Sequence, residues 1–171
     1  MLFSSFHALL AARELSSQTP LTAAYVSSDI EIYPYQVAAA MFALRSPYLK
    51  GAVLADEGSL GKTYEALLVV SQLWFDGKER ILIVVPMPLL GQWIEIMDGC
   101  FTVPYQREVG ENAVVLLTYE EAVEKASALN EIMWNMVVFE EAHKLGNHES
   151  KTATVRKYSR FKTVRRHKNA H

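Results

Sequence analysis

Cysteine is almost missing from this chain: of 171 residues only Cys100 is one. A single thiol excludes an internal disulfide framework and any zinc site built from several cysteines. The five histidines form no metal-spaced cluster within the first 150 residues. Long apolar runs are also missing. The longest, Ile81–Leu90, is ten residues with two prolines, whereas a membrane-spanning helix needs roughly 20. The apolar start, Met1–Leu10, has no Lys or Arg ahead of it, which makes it a poor secretory signal. No internal repeat or low-complexity stretch occurs. These absences point to a reducing, cytoplasmic setting with no membrane partner.

What is present fits one domain with a real core. Half of the residues are hydrophobic, 21% are charged and 11% aromatic, which is not the composition of a disordered chain. The net charge of −2 conceals a split. Residues 1–150 carry 9 Lys/Arg against 19 Asp/Glu, a balance of −10, and residues 151–171 carry 8 Lys/Arg and no acid, a balance of +8. The expected organisation is an N-terminal helix and connector over 1–30, a globular lobe over 31–150 and a basic tail over 151–171.

Along the chain, Phe3–Leu15 reads as a short amphipathic helix and Ser16–Ser28 as a connector. Pro34, a good first-turn residue, opens a helix over Tyr35–Leu44. Gly51–Ala55, Arg80–Val85, Ala113–Leu117 and Met136–Phe139 are continuous apolar runs, the mark of strands buried on both faces. Val103–Arg107 suits a further short strand. Between them lie helical patterns over Lys62–Phe75, Leu89–Met97 and Tyr119–Leu129. Strand–helix alternation implies parallel pairing with right-handed crossovers. The expected fold is therefore α/β, a three-layer sandwich around a mainly parallel sheet.

Two segments carry chemistry. Asp56-Glu57-Gly58-Ser59-Leu60-Gly61-Lys62-Thr63 lies between a strand and a helix, the context a phosphate-binding loop requires. There, backbone N–H groups and the helix dipole face an anion. Gly61 allows close backbone approach, Lys62 reaches terminal phosphates, and the Thr63 hydroxyl ligates magnesium. Asp56 stands where the usual pattern has its first Gly, and Ser59 where a second often falls. The other segment is Glu140-Glu141-Ala142-His143, directly after an apolar strand. In a magnesium-dependent nucleotide hydrolase the first such acid holds the metal and the second takes the proton of the attacking water.

With these residues in order, the chain resembles the first RecA-like lobe of superfamily-two DEAD/DEAH-box helicases, Swi/Snf-like subgroup. Ile32-Tyr33-Pro34-Tyr35-Gln36 looks like the adenine-side motif, with Tyr35 and Gln36 at the base. Leu54-Ala55-Asp56-Glu57 through Thr63 looks like motif I, so that Glu57, Gly58, Ser59, Leu60, Gly61, Lys62 and Thr63 would cradle ATP. Ile83-Val84-Val85-Pro86 with Leu90, Gln92 and Trp93 looks like motif Ia, and Leu117-Thr118-Tyr119-Glu120 like the next DNA-side motif. Pro86, Gln92 and Thr118 would thus face DNA, double-stranded in the family. Glu140-Glu141-Ala142-His143-Lys144-Leu145 looks like motif II, the DEAH box, with Glu140 in place of the usual Asp. The resemblance implies that Thr63 and Glu140 hold Mg2+, that Lys62 and Glu141 are catalytic, and that His143 couples the nucleotide site to the rest of the motor.

The resemblance spans roughly residues 3–150 and fades after Asn147. Motif III and a second lobe with its arginine finger are expected to be absent, so the lobe would be a truncated motor, weak or inactive as an ATP hydrolase without a second lobe or partner protein. The expected function is the ATP-binding lobe of a Swi/Snf-like DNA helicase or translocase. The alternative is a non-catalytic remnant, or a protein- or DNA-binding module that keeps the fold. A transporter ATPase would carry an L-S-G-G-Q-like signature, which this sequence lacks. Trp74, Trp93 and Trp134 are expected in or beside the core, with Cys100 a small core hydrophobe. The tail cations, from Lys151 to Lys168, either grip phosphate backbones or make a solvated end.

Overall fold

The computed structural model describes residues 32–45, 52–54, 61–110, 112–141 and 162–166. The helix Phe3–Leu15, the connector, Asp56–Leu60 and Ala142–Lys144 lie outside the described residues. In chain order the elements are α1 (Pro34–Arg45), β1 (Ala52–Leu54), α2 (Lys62–Phe75), β2 (Arg80–Val85), α3 (Met87–Cys100), β3 (Tyr105–Gln106) and β4 (Ala113–Thr118). They continue with α4 (Tyr119–Glu124), α5 (Ala126–Glu131), β5 (Met136–Phe139) and β6 (Lys162–Arg166).

Six strands form one sheet in the order β1-β6-β5-β2-β4-β3, and every pairing is parallel. β2 lies at the centre, with Ile83 opposite both Leu116 and Val138. Its continuous run R-I-L-I-V-V is explained by what covers it. Ile81, Ile83 and Val85 pack under α1, α2 and α3, together with Val114, Leu116, Met136 and Val138. Leu82 and Val84 face the other way with Val115, Leu117, Val137 and Phe139, under Ala122, Leu129 and Trp134 of the α4–α5 side. Two separate cores on one sheet make the three-layer α/β sandwich anticipated from the apolar runs. Each fully buried aliphatic side chain contributes about 1.5–3 kcal/mol.

Helix α2 is more deeply enclosed than one apolar face requires. Nearly every residue from Lys62 to Leu73 is buried, Tyr64 excepted, because α1 packs against the helix as well as the sheet does. The single helix expected over Tyr119–Leu129 is instead two short ones. The break falls at Lys125 (φ −91°, ψ 14°), whose ammonium donates to the Arg107 carbonyl at 3.2 Å and pairs with Glu108. Trp134 then closes α5 by donating its indole N–H to the Leu129 carbonyl at 2.9 Å. Trp93 and Trp134 are buried and Trp74 half-buried, while Cys100 is half-buried against the core.

The segment expected to be a basic tail contributes β6, set between β1 and β5. Val164 is registered with both Ala52 and Val138. Thr163 and Val164 are β-branched and suit a strand; the surrounding cations concealed that signal in the composition. Among the described residues no helix is long and apolar enough to cross a membrane.

Candidate functional site

In a parallel sheet with both faces covered, ligands bind beyond the carboxyl ends of the strands. At that edge β1 leads towards α2, β2 ends at Val85 just before Pro86, β4 ends at Thr118 and β5 ends at Phe139 just before Glu140. Gly61 is the N-cap of helix α2 and has no side chain with which to cap the first-turn N–H groups. Those N–H groups lack intrahelical partners and carry the positive end of the helix dipole. Lys62 and Thr63 sit in this first turn and are both buried.

The start of α1 abuts this point. A Cβ on Gly61 would come within 3.3 Å of Gln36 Nε2 and of Tyr35 Cε2, and within 3.4 Å of a Glu65 carboxylate oxygen. The two segments read separately as an adenine-side motif and a phosphate loop therefore meet. Gln36 is buried, and its side-chain carbonyl accepts the Tyr33 N–H at 2.9 Å, which fixes its amide NH2 on the side facing Gly61. Tyr33 and Tyr35 are exposed, with rings stacked at 5.7 Å and 10°. Glu65 is almost completely buried and escaped the sequence reading. Its only signal was an acid two residues after Thr63 on a helix otherwise apolar inward.

The second half of the site is the turn after β5. Glu140 and Glu141 are both buried. The Glu140 N–H donates to the Val84 carbonyl at 2.9 Å, which extends the β5–β2 pairing into the acid pair. Glu141 has a φ of 55°, a left-handed conformation uncommon for a residue with a side chain. Tyr119, the first residue of α4, reaches across and donates its hydroxyl to the Glu140 carbonyl oxygen at 2.7 Å. Its ring stacks on Phe139 at 6.5 Å and 20°. Burial pushes the Tyr119 hydroxyl far above its ordinary range, and the charges of Glu140 and Glu141 push it further. The phenol therefore stays a neutral donor.

Helix α4 is tied down at the same edge. Thr118 accepts the Glu121 N–H at 3.2 Å, and the Glu121 carboxylate accepts the Thr118 N–H at 2.7 Å, a complete capping box. Arg107 donates to that carboxylate as well. Burial raises the Glu121 pKa, but the Thr118 N–H and Arg107 outweigh it and hold it below its ordinary value. In the sequence Thr118 and Tyr119 read only as part of a DNA-side motif; the Tyr119–Glu140 and Arg107–Glu121 contacts are not legible there, because they join residues 21 and 14 apart.

Of the DNA-side residues anticipated above, Pro86 and Thr118 lie on neighbouring strand ends, since Val85 is registered with Thr118. Pro86 is buried, Gln92 is exposed on α3, and the Thr118 side chain is fully buried in the cap. Glu57, Gly58, Ser59, Leu60 and His143 lie outside the described residues.

A parallel sheet enclosed by helices, with a buried Lys-Thr helix start and a buried acid turn at its carboxyl edge, is the plan of a RecA-like α/β lobe. The solved structure of the Sulfolobus solfataricus SWI2/SNF2 ATPase core in complex with dsDNA has this fold. It superposes with a TM-score of 0.71 at 20% identity, over 85% of this chain and 33% of that one. The family model described as the SNF2-related domain matches residues 102–167, and so runs past Asn147 into the basic segment. An uncharacterised ATP-dependent helicase of Bacillus subtilis, YqhH, is 32% identical over 108 residues, covering 58% of this chain and 19% of that protein. The RNA polymerase-associated protein RapA of Sodalis glossinidius is 32% identical over 138 residues, covering 67% and 14%. In sequence and in fold the chain is thus similar to Swi/Snf-like superfamily-two helicases. It spans less than a fifth of the length of either of these two relatives.

Proposed function

We propose that this chain is the ATP-binding lobe of a Swi/Snf-like DNA translocase. The observation that carries the reading is the presence of three features at one sheet edge: the start of α2 with buried Lys62 and Thr63, the Tyr35–Gln36 corner against Gly61, and the buried Glu140–Glu141 turn. In this reading phosphates lie on the α2 N-terminus, with Glu57, Gly58, Ser59 and Leu60 completing the loop and Lys62 on the terminal phosphates. The base lies by Tyr35, with the Gln36 amide NH2 available to a ring acceptor. Glu141 takes the proton of the attacking water, and His143 links this turn to the rest of the motor.

The residues present suit Mg2+. That ion uses few protein ligands and keeps waters and phosphate oxygens as the rest of its shell, and a threonine hydroxyl with one strand-end carboxylate is such a sparse set. Thr63 and Glu140 would hold it. When bound it offsets the charge on the transferring phosphate. Glu140 is one methylene longer than the aspartate of the family pattern, which sets the carboxylate further from β5.

The DNA partner is inferred from the family, along the edge marked by Pro86, Gln92 and Thr118. Residues 1–150 are acidic as a whole, so the affinity of this lobe for DNA is expected to be modest, because counterion release requires clustered cations. A second lobe or partner protein would supply the trans-acting arginine, worth about 10³–10⁵ in rate where such residues have been removed. The inferred setting is cytoplasmic.

The test is binding of a fluorescent ATP analogue by the wild type and Lys62→Ala. Binding that the substitution abolishes supports the reading, and equal, negligible binding by both removes it. The Glu140 replacement favours a second reading, a nucleotide-free module that keeps the fold for protein or DNA contact. DNA-stimulated ATP turnover that Glu141→Gln abolishes would refute it.

A further inference from the structure

Among part-buried polar groups outside the residues already assigned a role, the Tyr119 hydroxyl is placed with the most consequence. We propose that Tyr119 is a positioning residue that sets the Glu140–Glu141 turn from the far side of the sheet edge, and so sets how well the site takes up magnesium. This rests on the nucleotide reading above.

Three observations converge on it. The phenol donates at 2.7 Å to the main-chain carbonyl of Glu140, not to a carboxylate. The bond therefore constrains the peptide between Glu140 and Glu141, at the point where the chain enters the left-handed conformation of Glu141. A residue in that region persists only where its surroundings hold it. The backbone is gripped from both sides there, by Val84 accepting the Glu140 N–H at 2.9 Å and by Tyr119 on the Glu140 carbonyl.

Tyr119 is itself held firmly. Its ring stacks on Phe139, the last residue of β5. Its backbone begins α4 directly after Thr118, whose capping box with Glu121, itself held by Arg107, fixes the first turn. The chain of contacts runs from Arg107 through Glu121 and Thr118 to Tyr119, and from there to the acid pair.

The test compares wild type, Tyr119→Phe and Tyr119→Leu. The Phe variant keeps the ring stack and loses only the donor; the Leu variant loses both. The probe is a fluorescent ATP analogue titrated at fixed protein with increasing magnesium, with Lys62→Ala as control. Loss of one neutral hydrogen bond should raise the magnesium concentration for half-maximal binding about three- to tenfold in both variants. Magnesium-free binding should not change, and Phe should restore the thermal stability that Leu loses. A merely structural Tyr119 would be rescued by Phe in both measurements. Lys62-dependent binding with the same magnesium midpoint in wild type and Tyr119→Phe overturns the inference and leaves the nucleotide reading standing. Should the wild type show no Lys62-dependent binding, that reading falls, and amide exchange at Glu140 and Glu141 decides positioning alone. Faster exchange in Tyr119→Phe upholds it and unchanged exchange overturns it.

Discussion

Helices α2 and α4 both begin at the carboxyl edge of the sheet, and their first turns are completed in opposite ways. At α2 the N-cap is Gly61, which has no side chain to cap the first turn. At α4 Thr118 and Glu121 satisfy each other's N–H groups and Arg107 reinforces the carboxylate. A glycine N-cap leaves the first-turn donors to partners other than its own side chain, and an anion is one such partner, so the difference separates an end that can take up an anion from an end closed by its own cap residue. In the proposed reading the α2 end, open in this sense, is the ligand side. The closed end is the fixed frame from which the acid turn is held through Tyr119.

Lys62→Ala should break the contrast most strongly. It removes a buried cation from the open end, and a lost charge-assisted hydrogen bond to phosphate should weaken nucleotide binding by at least about tenfold. The closed end is built from Thr118, Glu121 and Arg107, so amide exchange over Tyr119–Glu124 should be unchanged. Slower or faster exchange there would show that the two ends are not independent.

Thr118→Ala probes the closed end in return. Loss of the cap should cost about 1 kcal/mol of stability in urea unfolding, with Thr118→Ser retaining most of it. Magnesium-free nucleotide binding should be unaffected. A fall in that binding comparable to that of Lys62→Ala would mean that the cap supports the open end as well.

A smaller effect is expected from Gly61→Ala. Gly61 has an ordinary φ of −105°, so the backbone tolerates a side chain. The crowding is with Gln36 and Tyr35, each 3.3 Å from the new methyl group. Displacing them towards a poorer rotamer should weaken nucleotide binding about threefold, read most clearly as reduced discrimination between ATP and GTP analogues. Unchanged base preference would detach the Tyr35–Gln36 corner from recognition of the base.

The open end was legible in sequence and the closed end was not, for a physical reason. Gly61-Lys62-Thr63 is local: loop, cation and hydroxyl are adjacent, and the strand–helix context on each side is set by apolar runs. The bounds of α2 and β2 fall where the periodicity puts them for the same reason. Glu140 and Glu141 were legible because they follow the apolar run of β5. Tyr119, by contrast, acts through a carbonyl 21 residues away, and Arg107 through a carboxylate 14 residues away. Such pairings come from the parallel register of β2 with β4 and β5 and leave no local pattern. The break at Lys125 was hidden likewise, since the residues on either side suit helix and the ammonium bonds to a chain segment before β4. β6 was obscured by charge, which reads as tail whether or not a β-branched pair lies within it.

The smallest expected effect concerns pH and isolates the closed end. Glu121 titrates below its ordinary value of 4.5 in the folded chain, because the Thr118 N–H and Arg107 favour its charged form over the opposing effect of burial. A group depressed in this way stabilises the fold above its unfolded pKa, and the contribution disappears as pH falls through the folded one. Between those two values the unfolded chain binds the extra proton, so stability rises with pH there. In Glu121→Gln this slope should be flatter below pH 4.5, while stability near neutral pH is lower than in the wild type. Denaturant midpoints at pH 3 and pH 7 measure it: the gap between the two proteins should be wide at pH 7 and narrow at pH 3. An equal gap at both values would show that Glu121 acts through packing in the cap and not through its charge. The Arg107 contact would then be incidental to the frame that holds Tyr119.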